Sequence, residues 1–257
     1  MKLSIVIPVY NEERTIVRVL ETVAVQPYDK EIIVIDDCSK DSTREILKQY
    51  ENRPGFRIEF SPTNQGKGAA LRKGFQLATG DIIVIQDADL EYDPREYGRL
   101  LKPFIEFGAD VVFGSRFLPW EAVRVLYYRH SIGNKLLTFL SNLLTDLTVS
   151  DMETGAKMFR ADILKNMKLS SNRFGFEPEV TAKIAKLGCI IYEVPISYHG
   201  RSYAEGKKIT WRDGIAAFWH IFKYNILEKD AYSIPKKELL KRLDSAKTRL
   251  RHGRGHS

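Results

Sequence analysis

Between Ile82 and Pro94 the chain reads IIVIQDADLEYDP: four consecutive apolar residues, then carboxylates at every second position, Asp87, Asp89 and Glu91. In an extended segment these three side chains project to the same side. Unpaired, they repel one another and hold protons more tightly unless a cation compensates them. Hard cations such as Mg²⁺ or Mn²⁺ take oxygen ligands, usually one or two carboxylates together with substrate phosphates. The spacing alone equally describes a solvated loop; its place after an apolar run is what favours a metal site. A second segment, NQGKGAALRKGF, sets Gly66, Lys67 and Gly68 before a helix, which suits backbone approach to an anion beside Lys67. It lacks the spacing and the Ser/Thr of a Walker A loop, and Asn11-Glu12-Glu13 stands where a dinucleotide fingerprint would follow the first strand.

The elements that must position these residues alternate along the first half. LSIVIPVY (3–10), EIIVIDD (31–37), FRIEFSP (56–62), IIVIQDAD (82–89) and ADVVFGSRF (109–117) read as strands, with helical patterns between them. Asp41, Ser42 and Thr43 offer N-caps to one of these helices, and Pro94 opens another. Continuously apolar strands joined by helices predict a mostly parallel sheet covered on both faces. Ligands in such sheets bind at the carboxyl ends of the strands. Asn11, Asp36, Asp37, Asn64, Gln65, Asp87 and Asp89 all fall at those ends, and their convergence is stronger evidence than any one of them.

The second half departs from the repeat. Residues 124–146 and 214–227 read as apolar helices, and CIIYEVPISY (189–198) as a strand. After Pro235, Leu239, Leu243, Ala246 and Leu250 form a narrow apolar stripe on a basic helix. The division expected is a catalytic domain over 1–212 and an amphipathic helix with a basic tail over 213–257. Of the net charge of +7, +6 lies beyond Glu228, where nine Lys or Arg face three Asp or Glu. Two cysteines make neither a metal pair nor a disulfide framework, which fits a reducing cytoplasm. The N-terminus does not read as a signal peptide, and no apolar run approaches the ~18 residues of a membrane span.

Taken in order, IVIPVYNEE, IVIDDCSKDST, NQGKGAALRKGF and IIVIQDADLEYDP resemble the nucleotide-sugar half of glycosyltransferase family 2. FGSRF, SDMETGAKMFR, FGFEPEV and EVPISYHGRSYAEGKKI resemble its dolichyl-phosphate mannose synthase-like, polyprenyl-phosphate branch. The resemblance covers about residues 3–212. It implies an α/β GT-A fold, a Rossmann-like, mostly parallel sheet flanked by helices, and an inverting transfer from a nucleoside-diphosphate sugar, with GDP-mannose favoured and UDP-glucose next. By position, Pro8, Tyr10 and Glu12 line the nucleoside pocket, Asp37 meets the base, Asp87 the ribose, and Asp89 the Mg²⁺ or Mn²⁺ that bridges the diphosphate. Glu91 stands where the branch has Gln, as a metal ligand or only a neighbour. Cys38 replaces the glycine of the DDGS pattern, which puts the local turn in doubt.

The acceptor separates the readings. A hydroxyl is a poor nucleophile at neutral pH and needs a general base, for which Glu177 or Asp151 is the candidate. A polyprenyl or dolichyl phosphate, with a second pKa near ~6, arrives ionised and needs cations instead. The resemblance puts Arg116 and Arg129 at the acceptor phosphate and Arg201 at the junction of donor and acceptor; Lys207 is a further cation of that kind. Gly200 and Gly206 suit a lid over the donor. The aromatic 214–227 helix and the basic tail are expected to hold the chain peripherally on the cytoplasmic membrane face, with an integral-membrane protein as a possible partner. A hydroxyl acceptor on a glycan, lipid or small molecule is the alternative. Nucleic-acid binding by the tail is not expected, because no aromatic residue follows Tyr232.

Overall fold

The computed structural model describes residues 1–118, 128–200 and 211–228, with Tyr232, Glu238 and Leu239. One seven-stranded sheet forms the frame, in the order β3-β2-β1-β4-β6-β5-β7. β1 (Leu3–Val9) lies between β2 (Lys30–Asp36) and β4 (Ile82–Ile85), parallel to both; β3 (Phe56–Phe60) extends the sheet beyond β2. β5 (Val111–Ser115) runs parallel to β7 (Ile191–Pro195). The expected mixed α/β architecture with a mostly parallel sheet is observed.

Alternation explains why the central strands are apolar throughout. Val6, Ile33, Ile35, Ile83, Ile85, Val111 and Phe113 pack on one face. Ile5, Ile7, Ile32, Val34, Ile82, Val84 and Val112 pack on the other. The second face is covered by α1 (Ile16–Ala24), α2 (Thr43–Lys48) and α4 (Tyr97–Glu106), through Val19, Leu47 and Leu100. The first is covered by α3 (Lys67–Leu77), α6 (Ala161–Asn166) and α7 (Phe176–Leu187), through Leu71, Ile163 and Val180. Two further helices, α5 (Tyr128–Thr145) and α8 (Trp211–Phe222), join that side through Leu137, Ala217 and Ile221. A π-helical turn, Lys223–Leu227, continues α8 and buries Tyr224.

One strand was not legible. β6 (Lys157–Arg160) enters between β4 and β5, antiparallel to both. Its sequence is KMFR: one apolar residue for each face, with buried charges at the ends. Four such residues carry no periodic signal. The basic helix expected after Pro235 lies outside the described residues, apart from Glu238 and Leu239; Leu239 is buried in the core. No described helix is long and apolar enough to cross a membrane.

Candidate active site

The strand order reverses at β1, so the carboxyl ends of β1, β2 and β4 open a crevice at a topological switch point. Loop geometry there is set by backbone hydrogen bonds. Asp37 leaves β2 with its side chain accepting from the backbone N–H of Gln65 at 2.9 Å and of Gly66 at 2.6 Å. Asn64 Nδ2 returns a bond to the Asp37 carbonyl at 3.1 Å. Asp36, fully buried, faces the other way and pairs with Arg44 Nε at 3.1 Å. Cys38, at the position of the family's glycine, has φ 63°. The left-handed turn is therefore kept without the residue that favours it.

Pro8 is the next-to-last residue of β1, and Tyr10, half-buried, follows the strand. Glu12 is nearly buried; its Oε2 accepts from Thr15 Oγ1 at 2.9 Å, and its backbone N–H donates to Thr43 Oγ1 at the same distance. These bonds fix the entry to α1 beside the crevice.

Lys67 opens α3 on Gly66, whose φ of 98° and contact with the Asn172 carbonyl leave no place for a side chain. The Lys67 ammonium sits 2.8 Å from Asp87 Oδ1 and 3.2 Å from Glu177 Oε1. Burial works against its charge, and the two carboxylates outweigh that, holding it well above the ordinary lysine range. Glu177 comes from the first turn of α7, far away in sequence. Gly155 lies directly against the Asp87 carboxylate, where any Cβ would collide with Oδ2. Its backbone N–H donates to Tyr92 Oη at 2.9 Å.

The three carboxylates of the opening motif are not strung along one extended strand. β4 stops at Ile85, and Gln86 ties down the following turn by donating to the carbonyls of Asp87 and Tyr92, each at 3.1 Å. Leu90 takes φ 63°, which breaks the extended path that a common direction requires. Asp87 faces Lys67. Glu91 Oε2 accepts from Tyr198 Oη at 2.8 Å, and Asp89 Oδ1 accepts from the Glu91 backbone N–H at 3.1 Å. Among the described residues no group of three His, Cys, Asp or Glu side chains is arranged to hold a metal. A cation site here rests on one or two carboxylates, which is the habit of Mg²⁺ and Mn²⁺ when phosphate oxygens supply the rest.

Beyond β5 a second cluster begins. Arg116 meets the fully buried Asp151 in a fork, Nε to Oδ2 at 2.6 Å and Nη2 to Oδ1 at 2.7 Å, with its own backbone N–H on Oδ2 at 3.1 Å. The guanidinium lies 5.1 Å from the centre of the Tyr198 ring. Expected as a ligand for phosphate, Arg116 thus has two of its three guanidinium nitrogens committed to Asp151. Glu193 holds the segment in place by accepting from the backbone N–H of Ser150 and Asp151. Lys157 is buried, with its ammonium on the Met152 carbonyl at 2.8 Å and on that of Thr154. Glu153 Oε1 is enclosed and has no hydrogen-bond partner among the described residues. Burial, then the neighbouring Glu177 charge, push the Glu153 carboxyl up to about 8. Burial also lowers Lys157, against the pull of Glu177 and Asp151.

The structure therefore brings Asp37, Lys67, Asp87 and Glu177 together around one crevice and sets Arg116 with Asp151 on its β5 side. Arg201 and Lys207 lie outside the described residues; Arg129 falls in the first turn of α5, its side chain likewise outside. Gly155, Tyr92, Tyr198, Glu153 and Lys157 were not singled out from the sequence. A glycine two residues before a short charged strand, in METGAK, was the available signal.

The model of the family described as Glycosyl transferase family 2 matches residues 4–168. The chain belongs to glycosyl transferase family 2. It is a glycosyltransferase. The low-salt glycan biosynthesis hexosyltransferase Agl6 of Haloferax volcanii is 31% identical over 237 residues, 90% of this chain and 54% of that protein. The dodecaprenyl-phosphate galacturonate synthase of Rhizobium johnstonii is 28% identical over 215 residues, 80% of this chain and 62% of that one. Among solved structures, glucosyl-3-phosphoglycerate synthase from Mycobacterium tuberculosis with Mn²⁺, UDP and glucosyl-3-phosphoglycerate superposes with a TM-score of 0.68 at 20% identity, over 89% of this chain and 81% of that one. At that identity the likeness concerns the fold.

Proposed function

We propose that this glycosyltransferase moves a hexose from a nucleoside-diphosphate sugar to a polyprenyl or dolichyl phosphate, with inversion, at the cytoplasmic surface of a membrane. The observation that carries the reading is the crevice at the β1 switch point, where Asp37 shapes an anion-accepting glycine turn and Lys67 pairs with Asp87. The donor diphosphate lies across that turn, its nucleoside toward Pro8, Tyr10 and Glu12. Asp89, with Asp87 beside it, would hold Mg²⁺ or Mn²⁺. A cation bound there supplies positive charge to the leaving diphosphate. Glu91 supports the turn through Tyr198 rather than joining the ligands.

The acceptor phosphate oxygen attacks the anomeric carbon from the face opposite the diphosphate; the new C–O bond forms as the bond to the diphosphate oxygen breaks. An ionised phosphate needs no base for this step. Arg116, oriented by Asp151, steadies the incoming phosphate with its remaining guanidinium N–H groups. Arg129, Arg201 and Lys207 are assigned to the same phosphate through the family resemblance alone. A relative that is a dodecaprenyl-phosphate galacturonate synthase supports the acceptor class, and solved relatives crystallised with UDP and Mn²⁺ support donor and metal. GDP-mannose is favoured as donor through the resemblance, with UDP-glucose next.

One observation favours a hydroxyl acceptor as the second reading. Asp151 is engaged by Arg116 and Glu177 by Lys67, whereas the neighbouring Glu153 carboxyl, raised to about 8, becomes able to accept a proton only once it ionises toward that pH. A donor panel of GDP-mannose, UDP-glucose, UDP-GlcNAc and UDP-galactose, offered with a short polyprenyl phosphate and with its dephosphorylated alcohol, tests both. Transfer to the phosphate alone supports the first reading; transfer to the alcohol alone replaces it with the second.

A further inference from the structure

The stretch Asp151–Gly155 joins the two sides of the crevice. At one end Asp151 holds Arg116 in its fork; at the other Gly155 lies directly against the Asp87 carboxylate. Hydrogen bonds pin the backbone between them. The Met152 N–H donates to Thr138 Oγ1 at 3.2 Å, and the Gly155 N–H to Tyr92 Oη at 2.9 Å. The carbonyls of Met152 and Thr154, on either side of Glu153, both accept from the Lys157 ammonium. Glu153 is therefore carried at a fixed place between Asp87 and Arg116.

The carboxylates that act on it are committed elsewhere, Glu177 to Lys67 and Asp151 to Arg116. Glu153 Oε1, by contrast, is enclosed and has no hydrogen-bond partner among the described residues, while the residue as a whole is only half-buried. A buried polar atom left unpaired is costly, and in a binding crevice its partner is expected to arrive with the ligand. Burial and the Glu177 charge hold the carboxyl protonated up to about 8, so at neutral pH it offers an O–H donor as well as accepting oxygens. That is the complement of a sugar hydroxyl, which also donates and accepts. Phosphate oxygens, which only accept, are better served by the neighbouring Arg116.

We infer that Glu153 hydrogen-bonds a hydroxyl of the donor hexose and so helps to decide which hexose is transferred. The inference rests on the proposed transfer only for the placing of the sugar: a diphosphate leaving beside Asp87 and a phosphate attacking from Arg116 put the hexose over the stretch that joins them. A pocket built to pair with a hydroxyl discriminates against a sugar that lacks it, because the pocket's own polar group is then left unpaired. With a phosphate acceptor, Glu153 does this without moving a proton.

The test uses the full chain with Mn²⁺ and no acceptor. Binding of UDP-glucose, GDP-mannose and their monodeoxy analogues, each lacking one sugar hydroxyl, is measured by calorimetry beside UDP and GDP. Wild type is compared with Glu153→Met, which fills the site without a hydrogen-bonding carboxyl. Glu153→Asp, which withdraws the carboxyl by one carbon, serves as the second variant should the first not fold. Expected is a loss of about tenfold in affinity for the sugar nucleotide in each variant, with the affinity for the nucleoside diphosphate unchanged. One monodeoxy donor should be rejected by wild type by a similar factor and no longer be distinguished from its parent by the variants. Unchanged sugar-nucleotide affinity in a folded variant overturns the inference. So does an equal loss for the nucleoside diphosphate, which would make Glu153 a support of the diphosphate site, and so does a wild type indifferent to every missing hydroxyl. The expected binding result with no transfer to any prenyl phosphate, once one is added, leaves Glu153 as assigned and removes the acceptor reading instead.

Discussion

The two sides of the crevice are built differently. On the donor side, ligand-facing loops are fixed by backbone hydrogen bonds between consecutive strand ends: Asp37 holds Gln65 and Gly66, and Glu12 ties α1 to α2. On the acceptor side the structure is a set of side-chain charges drawn from distant segments: Arg116 with Asp151, Lys67 with Glu177, and Lys157 held on backbone carbonyls within electrostatic reach of Glu153. Lys67 and Asp87 join the two. Backbone-built loops suit a constant diphosphate; buried charge pairs adjust to the acceptor and make that side sensitive to single changes. The difference is a testable statement about how each side fails.

The largest expected effect comes from the seam between the two sides. Gly155→Val drives a side chain into the Asp87 carboxylate and should abolish transfer while circular dichroism still reports a folded protein. Arg116→Ala follows. It leaves Asp151 buried and unpaired, so chemical denaturation should show a loss of about 3–5 kcal/mol, with Asp151→Asn losing less. A donor-side change, Gln65→Ala, leaves the backbone bonds to Asp37 in place and should alter stability by no more than about 0.5 kcal/mol. If Gln65→Ala proved the more damaging of the two, the contrast between backbone and charge construction would be wrong.

Smaller effects sharpen the picture. Glu153 holds its proton more tightly folded, up to about 8, than an unfolded glutamate at 4.5. That proton's contribution is fully present below the unfolded value and is lost as pH rises toward and through 8. Glu153→Gln should therefore flatten the decline in denaturation midpoint between pH 6 and 9. An unchanged slope would remove Glu153 as a titrating group. The mildest change is Cys38→Gly. Relief of a left-handed φ at a residue with a Cβ should stabilise the protein by about 0.5–1 kcal/mol, read as a higher melting temperature.

The same contrast governs what the sequence disclosed. Donor-side loops lie immediately after continuous apolar strands, so Asp37, Lys67 and Asp87 could be found by locating strand ends. The error there was geometric: the direction of Asp89 and Glu91 was read from an extended chain, and the positive φ of Leu90 has no signal in a leucine. Acceptor-side partnerships were hidden, because β6 is four residues long and Glu153, Gly155 and Lys157 acquire meaning only when it inserts between β4 and β5. Arg116 was found through the resemblance, but not that Asp151 would occupy two of its nitrogens. Helices α5 and α8 were recognised as apolar; which of their sides faces outward is a tertiary fact.

The central claim is that the β1 crevice transfers a hexose to a prenyl phosphate with a cation held at Asp89. Its most direct test is single-turnover transfer of labelled sugar from GDP-mannose or UDP-glucose to a short polyprenyl phosphate. Wild-type and Asp89→Asn proteins are compared with Mn²⁺ and with EDTA. Product from the wild type only, and only with the metal, is the predicted result. Equal product from Asp89→Asn, or product undiminished by EDTA, would contradict it.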